Sequence, residues 1–231
     1  MPIGIIFISL FFMALGMLVQ WRLKSKFSEY SKVPTGSNLS GKEIAEKMLH
    51  DNGIYDVSVV SVPGFLSDHY DPTKKTVNLS PNVYSGRNVS AAAVAAHECG
   101  HAVQHATAYS MLKLRSGLVP IVQISSNLAQ WVILIGLGLF SFGGGNQTVL
   151  LIGIILFAAS TIFSVITLPV EFDASARALK WLNTSHLSAP AEYEKAKDAL
   201  KWAALTYMVA ALASIAMLVQ YILIYQGRSR D

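Results

Sequence analysis

The fold class is decided by residues 116–170, which read "SGLVPIVQISSNLAQWVILIGLGLFSFGGGNQTVLLIGIILFAASTIFSVITLPV" and contain no Asp, Glu, Lys, Arg or His over 55 residues. A helix needs only about 20 apolar residues to cross a bilayer, so this run holds two spans. The break falls at "SFGGGNQT", residues 141–148, because three glycines and two amides favour a turn over a helix interior. We predict a transmembrane helix and hairpin turn over 117–147 and a further transmembrane helix over 148–170.

Two more apolar runs lie near the ends of the chain, in residues 1–21 and 202–231. The first lacks a basic leading region and a small-x-small cleavage site, so it is expected to be an uncleaved anchor. The chain is 52% hydrophobic and only 14% charged, which is typical of membrane proteins. The sequence therefore predicts a mainly α-helical membrane protein with four transmembrane helices, the last followed by a short tail.

Basic residues next to the four spans indicate the orientation. Eleven of them fall on one side of a four-span arrangement: Arg22, Lys24, Lys26, Lys32, Lys113, Arg115, Arg177, Lys180, Lys195, Lys197 and Lys201. We therefore predict that residues 22–116 and 171–201 are cytoplasmic. The net charge of +4 then belongs to membrane flanks, and no nucleic-acid partner is expected. A single cysteine, Cys99, excludes an internal disulfide and suits a reducing compartment.

The first cytoplasmic region has the pattern of a small α+β unit. Ser40 and Glu43 form a capping-box signal for a helix that ends near Gly53. Residues 55–62 then favour a strand. The "DP" turn in "FLSDHYDPTKKTVNLS", residues 65–80, favours a β-hairpin.

Residues 89–110, "VSAAAVAAHECGHAVQHATAYS", predict a helix that is capped by Asn88 or Ser90 and runs to about Arg115. The helix is rich in alanine. Apart from its histidines, it has one ionisable carboxylate between Asn88 and Tyr109. Cys99 lies on a different face from the histidine pair described next, so we interpret it as a packing residue.

The motif "HECGH" places His97 and His101 four residues apart. On a helix such residues lie about 40° apart and about 6 Å along the axis, so both imidazoles can reach one metal ion. Glu98, one step around the helix, can reach a water at that metal, and this combination predicts a zinc site with a general base. His105 is displaced from His97 by about 12 Å along the axis, too far for the same ion.

A catalytic zinc site normally has a third protein ligand. Glu171 is the best candidate because it stands where the 55 uncharged residues end, and an ionisable group so near the membrane needs a partner. The simpler alternative is that Glu171 only caps a helix end. The fallback ligands are Asp68, Asp71, Glu192 and Glu194.

Three segments carry a resemblance: "DHYDPTKKTVNLSPNVY" (68–84), "AAHECGHAVQ" (95–104) and "LPVEFDASARAL" (168–179). They are similar to the bacterial membrane neutral zinc metallopeptidase family, the YugP-like proteins, over nearly the whole chain. More distantly the chain resembles the HtpX-type membrane zinc proteases, in which a glutamate after a transmembrane hairpin is the third zinc ligand. The resemblance implies a multi-pass protein of the bacterial inner membrane with a zincin-like, gluzincin-like cytoplasmic catalytic region that contains a small β-sheet and an HExxH helix.

The implied activity is zinc-dependent endopeptidase cleavage of peptides or proteins, including membrane proteins. One Zn²⁺ per chain would be held by His97, His101 and Glu171, with Glu98 as general base. Strand 76–80 either offers a free edge to an extended substrate or is a plain hairpin strand. Four side chains are candidate oxyanion donors: Tyr70, Arg177, His186 and Tyr193.

The roles of two residues in the second predicted cytoplasmic region, 171–201, stay open. The HtpX-type proteins usually have an acidic residue four positions after the ligand glutamate, where this chain has Ser175. Asp173 either orients a ligand histidine or pairs with Arg177.

Two other functions compete with proteolysis at the membrane surface. The first is a non-catalytic zinc-binding membrane scaffold or inactive relative, for which Glu98 would have no role. The second is an intramembrane protease of the site-2 type, which is disfavoured because Lys113 and Arg115 end the predicted active helix and no "LDG" triplet occurs in a later span.

Overall fold

The computed structural model describes residues 3–138 and 145–228 of the 231-residue chain. The elements are, in order, α1 (Ile3–Tyr30), α2 (Gly41–Asp51), β1 (Ser58–Ser61), β2 (His69–Asp71), β3 (Thr76–Leu79), α3 (Pro81–Tyr84), α4 (Val89–Ala106), α5 (Ser110–Gly136), α6 (Gln147–Thr184) and α7 (Pro190–Arg228). Within the described residues, the four helices α1, α5, α6 and α7 are long and apolar enough to cross a membrane. The prediction of a mainly helical protein with four candidate transmembrane helices is confirmed.

Three of these helices are longer than the spans predicted from the sequence. Helix α1 continues beyond residue 21 to Tyr30, α6 continues beyond residue 170 to Thr184, and α7 begins at Pro190, before residue 202. The segment 171–201 thus consists of two helical ends joined by a short connection. Of the predicted turn at 141–148, residues 141–144 lie outside the described part of the chain.

The chain divides into two compact units. One consists of Met1–Leu18, Lys113–Leu168 and Thr206–Asp231, and it contains the apolar parts of the long helices. The other consists of Val19–Leu112 and Pro169–Leu205, and it contains the sheet, the shorter helices and the polar ends of α6 and α7. Every residue of the candidate site belongs to this second unit.

Close packing of α5 against α6 characterises the first unit. A Cβ added at Gly136 would lie 2.5 Å from the Leu150 Cα, and one added at Gly153 would lie 2.7 Å from the Ile133 Cγ1. Leu150 is fully buried and Ile133 nearly so. Small residues at such positions let membrane helices approach closely, where van der Waals contact is a main attraction.

Helix α2 supplies one side of the core of the second unit. The Ser40 Oγ accepts a hydrogen bond from the Glu43 N–H and the Glu43 carboxylate accepts one from the Ser40 N–H, so the predicted capping box is confirmed. Ile44, Met48 and Leu49 share one face of α2, and each is only 1% exposed. This apolar face packs against α4 and holds the candidate active helix in the core.

The sheet has three strands in the order β1–β3–β2. Strands β2 and β3 are antiparallel, with Tyr70 opposite Val77, and form the predicted hairpin. Strand β1 pairs with the other side of β3 in parallel. Of the two alternatives for strand 76–80, the free edge is wrong and the plain hairpin strand agrees with the structure, because β3 is paired on both sides and the outer strands are β1 and β2.

Helix α4 ends earlier than the sequence predicts, at Ala106 instead of about Arg115. Ala108 adopts a left-handed conformation with φ of 55°, and the Tyr109 N–H donates to the Gln104 carbonyl. This Schellman-type arrangement ends a helix and usually requires glycine. The sequence prediction failed because alanine occupies the left-handed position.

Candidate metal centre

Helix α4 carries the histidine pair on one face. The helix starts at Asn88, whose Oδ1 accepts a hydrogen bond from the Ala91 N–H. Six of its seven alanines are buried, so α4 is a core helix with little freedom to rotate. The rings of His97 and His101 have centroids 4.9 Å apart and planes at 84° to each other. Both imidazoles therefore project to the same side, as the four-residue spacing predicts.

Gly100 allows α6 to approach this face of α4. A Cβ at position 100 would lie 2.4 Å from the Ala174 carbonyl oxygen and 3.0 Å from its carbonyl carbon. No side chain fits that space without a shift of backbone. Glu171, three residues before Ala174 on α6, is thereby brought beside the histidine pair, where it is only 3% exposed.

The three predicted ligands meet at one point. One atom from each of His97, His101 and Glu171 lies within 4.8 Å of the others. The Glu171 Oε2 is 3.4 Å from the His97 Nε2 and 3.6 Å from the His101 Nε2. Donors about 2.0–2.1 Å from a tetrahedral zinc ion are about 3.3 Å apart, so these residues fit zinc with small adjustments.

Ser175 occupies the position at which the distant relatives have an acidic residue. Its Oγ lies 3.1 Å from the Nδ1 of His97. A hydroxyl can accept from this ring nitrogen or donate to it. The side chain that contacts the Nδ1 of His97 is thus neutral and can either donate or accept the hydrogen bond.

Gln104 is the corresponding partner of His101. Its Oε1 lies 3.0 Å from the His101 Nδ1, and its Nε2 donates to the Val170 carbonyl at 2.7 Å and to the Asp173 Oδ2 at 2.8 Å. The same Asp173 oxygen accepts from the Arg177 Nε at 2.6 Å. Asp173 therefore pairs directly with Arg177 and reaches a ligand histidine only through the Gln104 amide.

Two pKa shifts describe the electrostatics of the metal-free site. Burial raises the pKa of the Glu98 carboxyl, and the nearby His97 and His101 only partly oppose this. Burial by itself lowers the pKa of His101, but hydrogen bonding with Glu171 and the charges of Glu98 and Glu171 outweigh burial and raise it. The two carboxylates therefore favour positive charge at this position, as they would favour a divalent cation.

Two of the fallback ligands, Asp68 and Asp71, accept hydrogen bonds from groups close to β2 and β3. The Asp68 carboxylate accepts hydrogen bonds from the Ser80 N–H and Oγ at 2.7 and 3.2 Å. The Asp71 Oδ1 accepts from the N–H groups of Thr73 and Lys74 at 2.9 and 3.0 Å. Asp68 thus joins the segment before β2 to the end of β3, and Asp71 stabilises the turn between the two strands.

The other two fallback ligands lie on the first turns of α7. Glu192 accepts hydrogen bonds from the N–H groups of Gly36 and Ala189, at 3.0 and 3.2 Å. Glu194 is exposed and forms an ion pair with Lys197 at 3.7 Å. Among the described residues, neither is grouped with the two histidines of "HECGH".

The candidate oxyanion donors are not brought to the metal ligands by any described hydrogen bond. The Tyr70 hydroxyl bonds to the His105 Nδ1 at 2.8 Å, and the Arg177 guanidinium lies over the Tyr109 ring at 5.8 Å. In the described part of the chain, no hydrogen bond joins the side chains of His186 or Tyr193 to the metal group. The identity of the oxyanion donor stays a prediction.

Sequence reasoning missed the residues that position the ligands. Gln104 is fully buried. The signal that the sequence offered was an amide side chain three residues after His101 in an alanine-rich helix. Gly100 was visible only as the fourth residue of "HECGH". Its contact with Ala174 depends on which helix packs there, which local sequence does not reveal.

Comparison with known proteins agrees with this geometry. Residues 5–226 match the model of a family described as "Putative neutral zinc metallopeptidase". The chain belongs to this zinc metallopeptidase family. One relative, named "Putative membrane protease YugP" in Bacillus subtilis (strain 168), is 42% identical over 227 residues, which cover 98% of this chain and 99% of the relative. No solved structure matches the chain. The resemblance to the neutral zinc metallopeptidase family that the sequence indicated is confirmed.

The packing at Gly100 leads to a prediction for Gly100→Ala. The added methyl group forces α4 and α6 apart at Ala174 and moves Glu171 away from the histidines. Overpacking costs about 1–3 kcal/mol, so we expect lower thermal stability and roughly a tenfold or greater loss of zinc affinity. Calorimetry and zinc titration of the detergent-solubilised protein measure both quantities.

Gly117→Ala is the matched control, because nothing lies within 4 Å of a Cβ at that position of α5. Alanine favours a helix over glycine, so this variant should be neutral or slightly stabilised. Equal stability and equal zinc affinity in Gly100→Ala and the parent protein would show that the close approach at Ala174 is not required.

Proposed function

We propose that the protein is an integral membrane zinc metalloendopeptidase whose active site is the cluster of His97, Glu98, His101 and Glu171. The observation that carries the proposal is the convergence of two imidazole nitrogens and one carboxylate oxygen. The oxygen lies 3.4 and 3.6 Å from the two nitrogens, and one ligand atom of each residue lies within 4.8 Å of the others. Family membership supports the same chemistry. One Zn²⁺ per chain is proposed, because three ligands and one open position make up one catalytic site.

Each side chain of the cluster has a separate task. His97, His101 and Glu171 would hold the ion, which would supply the Lewis acidity to polarise the scissile carbonyl and to lower the pKa of the attacking water toward about 7. The Glu98 carboxylate takes a proton from that water and then passes it to the leaving amine nitrogen. Two histidines on one helix with a glutamate from a later helix correspond to a gluzincin-like ligand set in a zincin-like α+β region.

The substrate is proposed to be a peptide or protein in an extended conformation. Strand β2 is an outer strand of the sheet, and the hydrogen bond from Tyr70 to His105 holds it alongside α4. An extended peptide can pair with such an edge through its main chain. We therefore assign substrate pairing to β2 instead of β3, and membrane proteins are the substrate class most accessible to a membrane-anchored protease.

The catalytic region is proposed to face the cytoplasm of a bacterial cell, with the chain a multi-pass protein of the inner membrane. The eleven basic residues next to the four candidate spans support this orientation through the preference of lysine and arginine for the cytoplasmic side. The lone, buried Cys99 is compatible with a reducing compartment. No nucleic-acid partner is proposed.

A non-catalytic zinc-binding scaffold is the second candidate function. The burial of the cluster favours it: Glu98 and His101 are each 8% exposed and Glu171 is 3% exposed. A protease must expose its base and metal to substrate, whereas a structural zinc site is closed. A structural site has no use for Glu98, and this residue separates the two functions.

The first prediction concerns Glu98→Gln, which keeps the size of the side chain but removes the proton acceptor. We expect full zinc content and an unchanged fold, with proteolysis lowered by at least about 100-fold, since a general base contributes about 10²–10⁴. Zinc analysis and cleavage of a casein-type substrate in detergent test this.

Glu194→Gln is the matched control, because Glu194 is exposed and pairs only with Lys197 among its described contacts. It should cleave at the rate of the parent protein. Cleavage by Glu98→Gln at the parent rate would refute the mechanism, and absence of zinc-dependent cleavage in the parent protein would favour the scaffold.

The second prediction concerns the third ligand. Removing one of three protein ligands in Glu171→Ala should reduce bound zinc to well below one ion per chain, because the histidine pair alone cannot complete the site. Metal analysis after dialysis against a weak chelator measures this, with Glu192→Ala as the control. Undiminished zinc in Glu171→Ala would mean that the third ligand lies elsewhere.

A further inference from the structure

Gln104 is a fully buried amide in the apolar core of the second unit. Burying an amide is unfavourable unless its donors and acceptor are all used. Gln104 uses both ends of its side chain, with one hydrogen bond at the oxygen and two at the nitrogen. A residue so placed contributes a fixed polar geometry, which an apolar side chain of the same size would not supply.

The orientation of the amide follows from its partners. The Val170 carbonyl oxygen and the Asp173 carboxylate oxygen can only accept hydrogen bonds from it. The amide NH₂ group must therefore face both of them. A flipped amide would set its oxygen against two acceptors, so the Oε1 must point to the remaining partner, His101.

This orientation decides which nitrogen of His101 carries the proton. The Gln104 Oε1 is an acceptor 3.0 Å from the His101 Nδ1, so that nitrogen must be the N–H donor. In the neutral ring the lone pair then lies on Nε2, the atom that faces the Glu171 carboxylate at 3.6 Å. His97 is not constrained in this way, since its Nδ1 partner is the Ser175 hydroxyl, which can donate or accept.

The same amide also aligns α6 with α4. Its two acceptors, Val170 and Asp173, lie one residue before and two residues after Glu171. The side chain that orients His101 is thus bonded directly to the helical segment that presents the third ligand. A rotation or slide of α6 would break these bonds before it displaced Glu171.

We propose that Gln104 is a positioning residue that fixes His101 in its metal-binding tautomer and locks the Glu171 segment of α6 in register with α4. This inference rests on the proposed zinc site for its functional meaning. Removing the hydrogen-bond partner of a metal-binding histidine typically lowers metal affinity by about 10–100-fold.

The first test uses the zinc-free parent protein labelled with ¹⁵N-histidine. At about pH 8, where exposed imidazoles are neutral, two-bond ¹⁵N–¹H NMR spectra identify the protonated nitrogen of each ring. The signals of His101 are assigned by their loss in His101→Gln. We expect the Nδ1 of His101 to carry a proton, whether or not the Nε2 beside Glu171 carries one as well, and an unprotonated Nδ1 would overturn the proposal.

The second test is Gln104→Met, which keeps the length of the side chain and removes all three hydrogen bonds. We expect a 10–100-fold loss of zinc affinity in chelator competition, and a His101 Nδ1 that is no longer fully protonated. Gln123→Met makes the same change at an exposed position of α5 and should bind zinc as the parent protein does.

The outcomes separate this inference from the proposed function. Parent-like zinc affinity and an unchanged His101 tautomer in folded Gln104→Met would refute the role of Gln104 and leave the zinc site intact. Failure of the parent protein to bind zinc would refute the proposed function, while the tautomer of His101 would still test Gln104. The spectrum of the parent protein decides the question even where Gln104→Met does not fold.

Discussion

The candidate metal centre depends on the backbone contact between α4 and α6 at Gly100 and Ala174. The histidines lie before two candidate membrane spans and Glu171 lies after them, so no local sequence pattern brings the three together. Only the close approach of the two helices does, and glycine permits it because any Cβ would meet the Ala174 carbonyl. The glycine in "HECGH" therefore has a packing role beside the two histidines that are candidate metal ligands.

The close approach of α4 and α6 brings ionisable side chains together in a buried place. Burying such groups costs free energy unless they are paired. The carboxylates of Glu98 and Glu171 are both buried. The surrounding core of alanine and aliphatic side chains offers them little solvation. A divalent cation would neutralise this charge directly. In a chain that belongs to a zinc metallopeptidase family, the burial of two carboxylates beside two histidines is thus consistent with a site for a divalent cation.

The sequence predicted those features that depend on local pattern. The spacing of His97 and His101 follows from helix geometry, the hairpin from its Asp–Pro turn, and Glu171 from the abrupt end of an uncharged run. The end of α4 was missed because Ala108 takes a conformation that glycine usually provides. The central position of β3 and the contacts of Gln104 were missed because both depend on partners distant in sequence.

The most direct test of the account is zinc K-edge X-ray absorption on the purified protein loaded with one equivalent of zinc. The account predicts a first shell of nitrogen and oxygen atoms at about 2.0–2.1 Å, with scattering from two imidazoles and no sulfur. A sulfur shell at about 2.3 Å, which could come only from Cys99 or a methionine, or scattering from three imidazoles would contradict it.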